Sequence, residues 1–194
     1  MVTSAAWSPK DLLVTGDEHG EVFASRGGSA AGSTLSVQGS VSFIQFSPDG
    51  NVVGIAAGRT LELRDASNLQ LLARLTQGTD MVTFAFDARG ERVVSGSLEG
   101  IARVWRTRDG TRLASLSGGP EVVQWMQFVS DQLVVATGSD GALHFWDVDR
   151  AKKILLLPGS RVFATNVLAT DAYTYLLQST DGSIITWDLP RTPW

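Results

Sequence analysis

The sequence predicts an all-β chain of about five repeated units, each built from four short antiparallel strands. Three observations predict it. Similar segments recur about every 40 residues. Within each segment, short alternating apolar and polar runs are separated by turns rich in Gly, Asp and Pro. No stretch keeps helical periodicity over the ~11 residues that a helix assignment needs.

The units begin near Val2, Val41, Met81, Val122 and Val162, and divide one domain, 1–194, into approximately 2–40, 41–80, 81–120, 121–160 and 161–194. Each opens with a strand ending on a bulky apolar residue: Trp7, Phe46, Phe86, Phe128 and Leu168. A tight turn follows, as in Ser47-Pro48-Asp49-Gly50, where Pro presets one backbone angle and Asp and Gly accept turn geometry. Second strands run through Leu12–Val14, Val52–Ile55, Val93–Val94, Leu133–Val135 and Tyr175–Leu177. After a second Gly- and Asp-rich turn, third strands are clearest at Ala102–Trp105, Leu143–Trp146 and Ile184–Trp187. A more polar fourth strand closes most units, at Thr34–Val37, Gln70–Leu75, Arg112–Leu116 and Lys153–Leu157.

Composition narrows the function classes. Hydrophobic residues make up 43% and charged residues 19%, a globular balance. The net charge of −4 argues against a general nucleic-acid binder, which needs Lys and Arg to neutralise phosphates. Arg103, Arg106, Arg108 and Arg112 still allow a local basic patch. Without cysteine there are no disulfides, thiolate metal sites or cysteine nucleophiles. Met1–Pro9 lacks a secretory pattern, and no apolar run approaches the ~20 residues of a membrane helix. The expectation is a soluble, cytoplasmic protein.

Catalytic signals are missing. His19 and His144 have no neighbouring ligand cluster, so no metal is expected. Gly27–Thr34 imitates a phosphate loop, but Ser33 stands where Lys is required and no helix is expected to follow. There is no G-x-S-x-G nucleophile elbow. Asp17, Glu18, Glu99, Asp140 and Asp181 fall in equivalent turns, which points to turn architecture, with an acidic rim as its by-product.

Trp146-Asp147 and Trp187-Asp188 end two third strands, Trp105-Arg106 ends another, and Thr137-Gly138-Ser139-Asp140-Gly141 has relatives in two further units. With Phe46-Ser47-Pro48-Asp49-Gly50, these phrases resemble the WD-repeat family over essentially the whole chain. The resemblance implies a β-propeller of four-stranded blades. It also implies a buried hydrogen-bonded set: a Trp on strand three, a Ser or Thr on strand two, an Asp in the turn between them and a His before strand one. Thr137, Asp140 and Trp146 would supply three members in the fourth unit, with Trp105 and Trp187 at the same position in the third and fifth. No His precedes any first strand, and Ser25 and Arg64 fall where Trp would sit in the first two units. Blades held mainly by apolar packing are therefore expected.

Members of the family usually have seven blades. Here Met1 alone precedes the first strand, and Pro190-Arg191-Thr192-Pro193-Trp194 stands where a last outer strand should begin. The expectation is an incomplete ring or part of a larger propeller, with the last blade one strand short.

In the family the face carrying the turn between strands two and three binds peptides or proteins. Ser4, Phe43, Thr83, Trp125 and Thr165 are read as equivalent first-strand positions. Phe43 and Trp125 are either binding anchors, as aromatic hot spots often are, or packing between blades. Asp80, Glu121 and Arg161 would set the charge preference around them. The expected function is a non-catalytic scaffold or sensor module that binds protein segments, without a cofactor, a membrane or nucleic acid. The alternative is a structural subunit whose open blade edges self-associate or join another chain.

Overall fold

The computed structural model describes residues 1–27, 29, 31–157, 164–169, 174–179 and 182–188. Among them are nineteen strands and no helix. Blade one is β1 (Val2–Trp7), β2 (Leu12–Asp17), β3 (Glu21–Arg26) and β4 (Ser33–Ser36). Blade two is β5 (Val41–Phe46), β6 (Val52–Ala57), β7 (Thr60–Asp65) and β8 (Leu71–Thr76). Blade three is β9 (Met81–Phe86), β10 (Arg92–Ser97), β11 (Ala102–Arg106) and β12 (Arg112–Leu116). Blade four is β13 (Val123–Phe128), β14 (Leu133–Gly138), β15 (Leu143–Asp147) and β16 (Lys152–Leu157). The fifth sheet is described through β17 (Ala164–Ala169), β18 (Thr174–Ser179) and β19 (Ile184–Asp188). Pro190–Trp194, where its outer strand was in question, and the turn at Thr170-Asp171 lie outside the described residues.

Each sheet is an antiparallel meander in chain order, and among the described residues the sheets do not close into a ring. Turn chemistry explains the tight first hairpins. Ser47 Oγ donates to Asp49 Oδ1 at 2.6 Å, Asn51 N donates to the same oxygen at 3.0 Å, and Gly50 takes φ 67°, which an L side chain resists. Of the Gly27–Thr34 stretch, Ser33 and Thr34 lie in β4, a strand.

The pairing register corrects one unit. Trp7, Phe46, Phe86 and Phe128 pair with Leu13, Val53, Val93 and Val134, and the fifth-sheet residue in that place is Ala169, opposite Tyr175. A register irregularity recurs at the start of every first strand, between Ala164 and Asn166 in the fifth. Asn166 and Ala169 therefore hold the places that bulk and alternation had given to Thr165 and Leu168. Backbone pairing sets register, and a large side chain one residue away cannot override it.

The core lies between blades. Leu12, Val14, Val22 and Ala24 of blade one pack against Val41, Ile44, Phe46 and Val53 of blade two. Leu61, Leu63 and Leu75 meet Phe84, Phe86, Val93 and Trp105 across the next interface. Val94, Val104 and Leu116 meet Val123, Met126, Phe128 and Trp146 across the third. Leu61, Leu63 and Leu75 are almost completely buried, each burial stabilising by roughly 1.5–3 kcal/mol. First strands face one another along the inside of the arc, β1 beside β5, β5 beside β9, β9 beside β13. Thr3 Oγ1 donates to Val41 O at 2.6 Å, and Ile44 N donates to Ser4 Oγ at 3.0 Å, so hydrogen bonds fix the spacing of the first two blades as well.

Candidate protein-binding face

Strand alternation brings Phe43, Thr83 and Trp125 to the same height on β5, β9 and β13. They line one cavity of about 360 Å³, together with Gln45, Gln127, and Pro48 and Asp87 from the first turns. Phe43 and Trp125 are half-buried, and each has two environments. The Phe43 ring meets Phe84 of the next blade edge-on, at 5.2 Å between centroids. Trp125 packs against Val135, Leu143 and Phe145 of its own blade. Packing and cavity lining are thus both true of these rings. Gln45 Oε1 is buried on the same wall with no hydrogen-bond partner among the described residues. A buried acceptor left unpaired costs roughly 1–3 kcal/mol.

The sequence reading grouped Phe43 and Trp125 with Asp80, Glu121 and Arg161 on one face, and the geometry separates them. Asp80 and Glu121 are exposed on the rim of the second-to-third strand turns, where Asp80 O accepts from Leu98 N at 3.2 Å. The cavity extends the other way, toward Pro48, Asp87 and Ala88. A six-residue strand is long enough to place its two ends on opposite rims. Arg161 lies outside the described residues. Gln45 and Gln127 were missed, although a Gln at an alternate position of an otherwise apolar strand was visible as a signal.

The polar groups around the third-strand Trp residues also differ from expectation. Trp105 Nε1 donates to Ser95 Oγ at 2.8 Å, and Gln77 Nε2 donates to the same oxygen at 2.6 Å. Arg103 joins Gln77 and Glu99 beside them. In blade four, Trp146 Nε1 donates instead to the backbone oxygen of Ser117 at 2.8 Å. His144 is buried, stacks on Trp146 at 5.7 Å and lies 2.6 Å from Asp140 Oδ2.

Comparison with known proteins matches residues 110–147 to the model described as WD domain, G-beta repeat. The Periodic tryptophan protein 2 homolog of Neurospora crassa is 30% identical over 162 residues, 75% of this chain and 18% of the relative. The U3 small nucleolar RNA-associated protein 21 homolog of Schizosaccharomyces pombe is 29% identical over 58% of this chain and 13% of its own length. Transducin beta-like protein 3 of Rattus norvegicus is 24% identical over 78% of this chain and 20% of its own length. The chain belongs to the WD-repeat family. It spans a fifth or less of the length of these relatives.

Within that family the buried polar set is rewritten blade by blade. In blade three, Gln77 stands before the first strand where His is expected, and it completes the set with Ser95 and Trp105. In blade four the proposed trio of Thr137, Asp140 and Trp146 does not form. Ser95 pairs with Arg103 and Ala136 with His144, so the position that reaches Trp belongs to Ala136. Thr137 is one residue on, faces the opposite side with Trp125, and its buried hydroxyl has no partner among the described residues. In blade two, Arg64 at the Trp position binds Glu62 through Nε at 2.8 Å and Nη2 at 2.6 Å. Arg74 takes the other Glu62 oxygen at 2.8 Å. The apolar interfaces therefore carry hydrogen-bonded polar clusters in blades two and three, whereas in blade four Thr137 Oγ1 and His144 Nδ1 are buried without a partner among the described residues. The Trp187 side chain and Asp181 lie outside the described residues.

The turn carboxylates act as architecture. Asp17 Oδ1 accepts from the backbone nitrogens of His19 and Glu21, and Asp140 Oδ1 from Ala142 N. The Glu21 and His19 amides, with the amino terminus adding its charge, hold the Asp17 carboxyl below its ordinary range. Among the described residues no helix is long and apolar enough to cross a membrane, and no group of acidic or histidine side chains is arranged to hold a metal ion.

Proposed function

We propose that this chain is a non-catalytic protein-interaction module whose docking site is the cavity between β5, β9 and β13. The observation that carries this reading is the pairing of half-buried rings, Phe43 and Trp125, with the unpaired acceptor Gln45 Oε1. An extended peptide supplies both what an aromatic wall takes, an apolar side chain, and what the oxygen takes, a backbone N–H. Relatives of the same repeat type include a protein named for association with a small nucleolar RNA, so the assembly served has a nuclear as well as a cytoplasmic candidate. Affinity purification of the wild-type chain beside Trp125→Ala and Gln45→Leu, each with a melting curve, tests the reading. Partners present with the wild type should be lost with both variants at an unchanged melting temperature. Retention of every partner by a folded Trp125→Ala chain would refute the site.

A second reading, assembly through open blade faces, is favoured by Trp7. Its side chain is 55% exposed, whereas Phe46, Phe86 and Phe128 in the same place are 7–8% exposed beneath a neighbouring blade. Light scattering of the purified chain separates the two. A concentration-independent monomer whose state is unchanged by Trp7→Gln counts against assembly through this face.

A further inference from the structure

We infer that the groove between blades two and three, on the side of the fourth strands, is a second docking site, suited to a short acidic peptide carrying aliphatic side chains. The groove encloses about 620 Å³ and shares no lining residue with the cavity at Phe43 and Trp125. Its apolar wall is Val52, Leu72 of β8 and Leu113 of β12; Leu72 is 40% and Leu113 42% exposed. Two large aliphatic side chains thus open to water within one groove.

Charge selects the occupant. The turn from β11 to β12 holds Arg106, Arg108 and Arg112 against Asp109 alone, although the whole chain carries a net charge of −4. Arg106 Nη1 and Arg108 Nε both reach the single oxygen Asp109 Oδ2, at 3.2 and 3.5 Å. Two guanidiniums on one carboxylate oxygen leave most of their N–H donors uncommitted. Arg108, 79% exposed, points its charge into solvent at the groove rim. Of the acidic residues in the lining, Asp49 is already engaged by Ser47 and Asn51, and Glu91 is the other; Arg89 pairs with Asp131 at 3.1 Å. Arg92 is spent internally on Asp87 and the Phe128 ring.

The equivalent groove between blades one and two provides the comparison. It is built from the same turns and has Asp65, Ala66 and Ser67 where its neighbour has Arg106, Thr107 and Arg108, with Lys10, Leu12 and Arg26 on the blade-one side. The arginines on the β11–β12 turn are therefore a feature of the groove between blades two and three, and the same turn of blade two folds without them. No aromatic ring lines the larger groove, which removes the stacking surface that a single-stranded nucleic acid would use.

The test is fluorescence anisotropy with the whole chain and three labelled probes: a synthetic peptide of alternating Glu and Leu, its Lys-for-Glu counterpart, and an oligouridine. The acidic peptide should bind and the basic one should not. Arg108→Glu and Leu113→Ser, both at exposed positions, should each weaken binding by about tenfold or more, with unchanged melting curves. Trp125→Ala should leave it unaltered, which keeps this site distinct from the cavity proposed above. Absence of acidic-peptide binding, indifference to both groove variants, loss of binding in a folded Trp125→Ala chain, or oligouridine binding that depends on Arg108 would each overturn the inference.

Discussion

Trp105 on β11 and Ser95 on β10, two residues beyond the Val93 that pairs with Trp105, are joined by a 2.8 Å hydrogen bond that the next blade cannot form, because Ala136 occupies the corresponding place. The bond is buried, and Gln77 shares the same hydroxyl oxygen. Ser95→Ala strands an indole N–H and an amide together. The expected cost is about 1–3 kcal/mol in urea unfolding. Thr137→Val supplies the opposite test. Its hydroxyl is buried without a partner, so removing it should be neutral or slightly stabilising. If Thr137→Val proves as costly as Ser95→Ala, the assignment of the two faces of β14 is wrong.

The repeat, the strand order and most of the register were legible because they rest on local signals: alternation, turn residues and recurrence. Ser25 and Arg64 do face Leu13 and Val53 at the Trp position, as spacing implied. The polar sets were legible only in part. A phrase such as Thr137-Gly138-Ser139-Asp140 gives residue types, but a one-residue difference in register sends Thr137 to the other face. Gln77 in the His role could not be read from a search for His. The cavity was half legible: alternation found Phe43 and Trp125, whereas which rim the cavity opens toward depends on how three blades are inclined, and no local pattern encodes that.

Glu62 sits at the centre of a buried cluster in blade two, with its side chain 5% exposed and those of Arg64 and Arg74 at 14% and 58%. Replacing Glu62 by Ala leaves the Arg64 guanidinium largely buried without its counter-charge, which should cost about 3–5 kcal/mol. Arg74 remains in water, and Arg74→Ala should cost no more than about 1 kcal/mol. Chemical denaturation of both variants checks the contrast. Equal losses would mean that Arg74, and not Arg64, carries the cluster.

Acid should weaken the hairpins in a defined direction. Asp109 is held down to about 2, first by the Thr111 backbone N–H, then by the Thr111 hydroxyl and Arg106. Asp49 and Asp147 are lowered too, led by the Ser47 hydroxyl and the Arg150 backbone N–H respectively. A carboxyl that is more acidic folded than unfolded stabilises the fold at pH above its unfolded value near ~4 and loses that contribution as pH falls through the folded value. The melting temperature should therefore decline from about pH 4 toward about pH 2, and Asp109→Asn should make that decline shallower. An Asp109→Asn profile superimposable on wild type would show that this turn does not contribute.

Gly96 on β10 tests how closely successive blades approach. A methyl group built there would lie 2.5 Å from Val123 Cγ1 and 2.9 Å from Val123 Cβ on the neighbouring first strand. Gly16 stands in the same relation to Val41, at 2.6 Å from Cγ1 and 2.8 Å from Cβ. Neither glycine has a positive φ, so the constraint is space between blades and not backbone conformation. Val123 is fully buried between Val94, Leu116 and Trp146, and has no room to yield. Gly96→Ala should therefore destabilise the chain by about 1–3 kcal/mol, as overpacking does. The double variant Gly96→Ala with Val123→Ala should recover part of that loss, because it removes the methyl groups that the new one meets. Recovery would identify inter-blade clash as the cause; a strictly additive double variant would assign the loss to the β10 backbone instead.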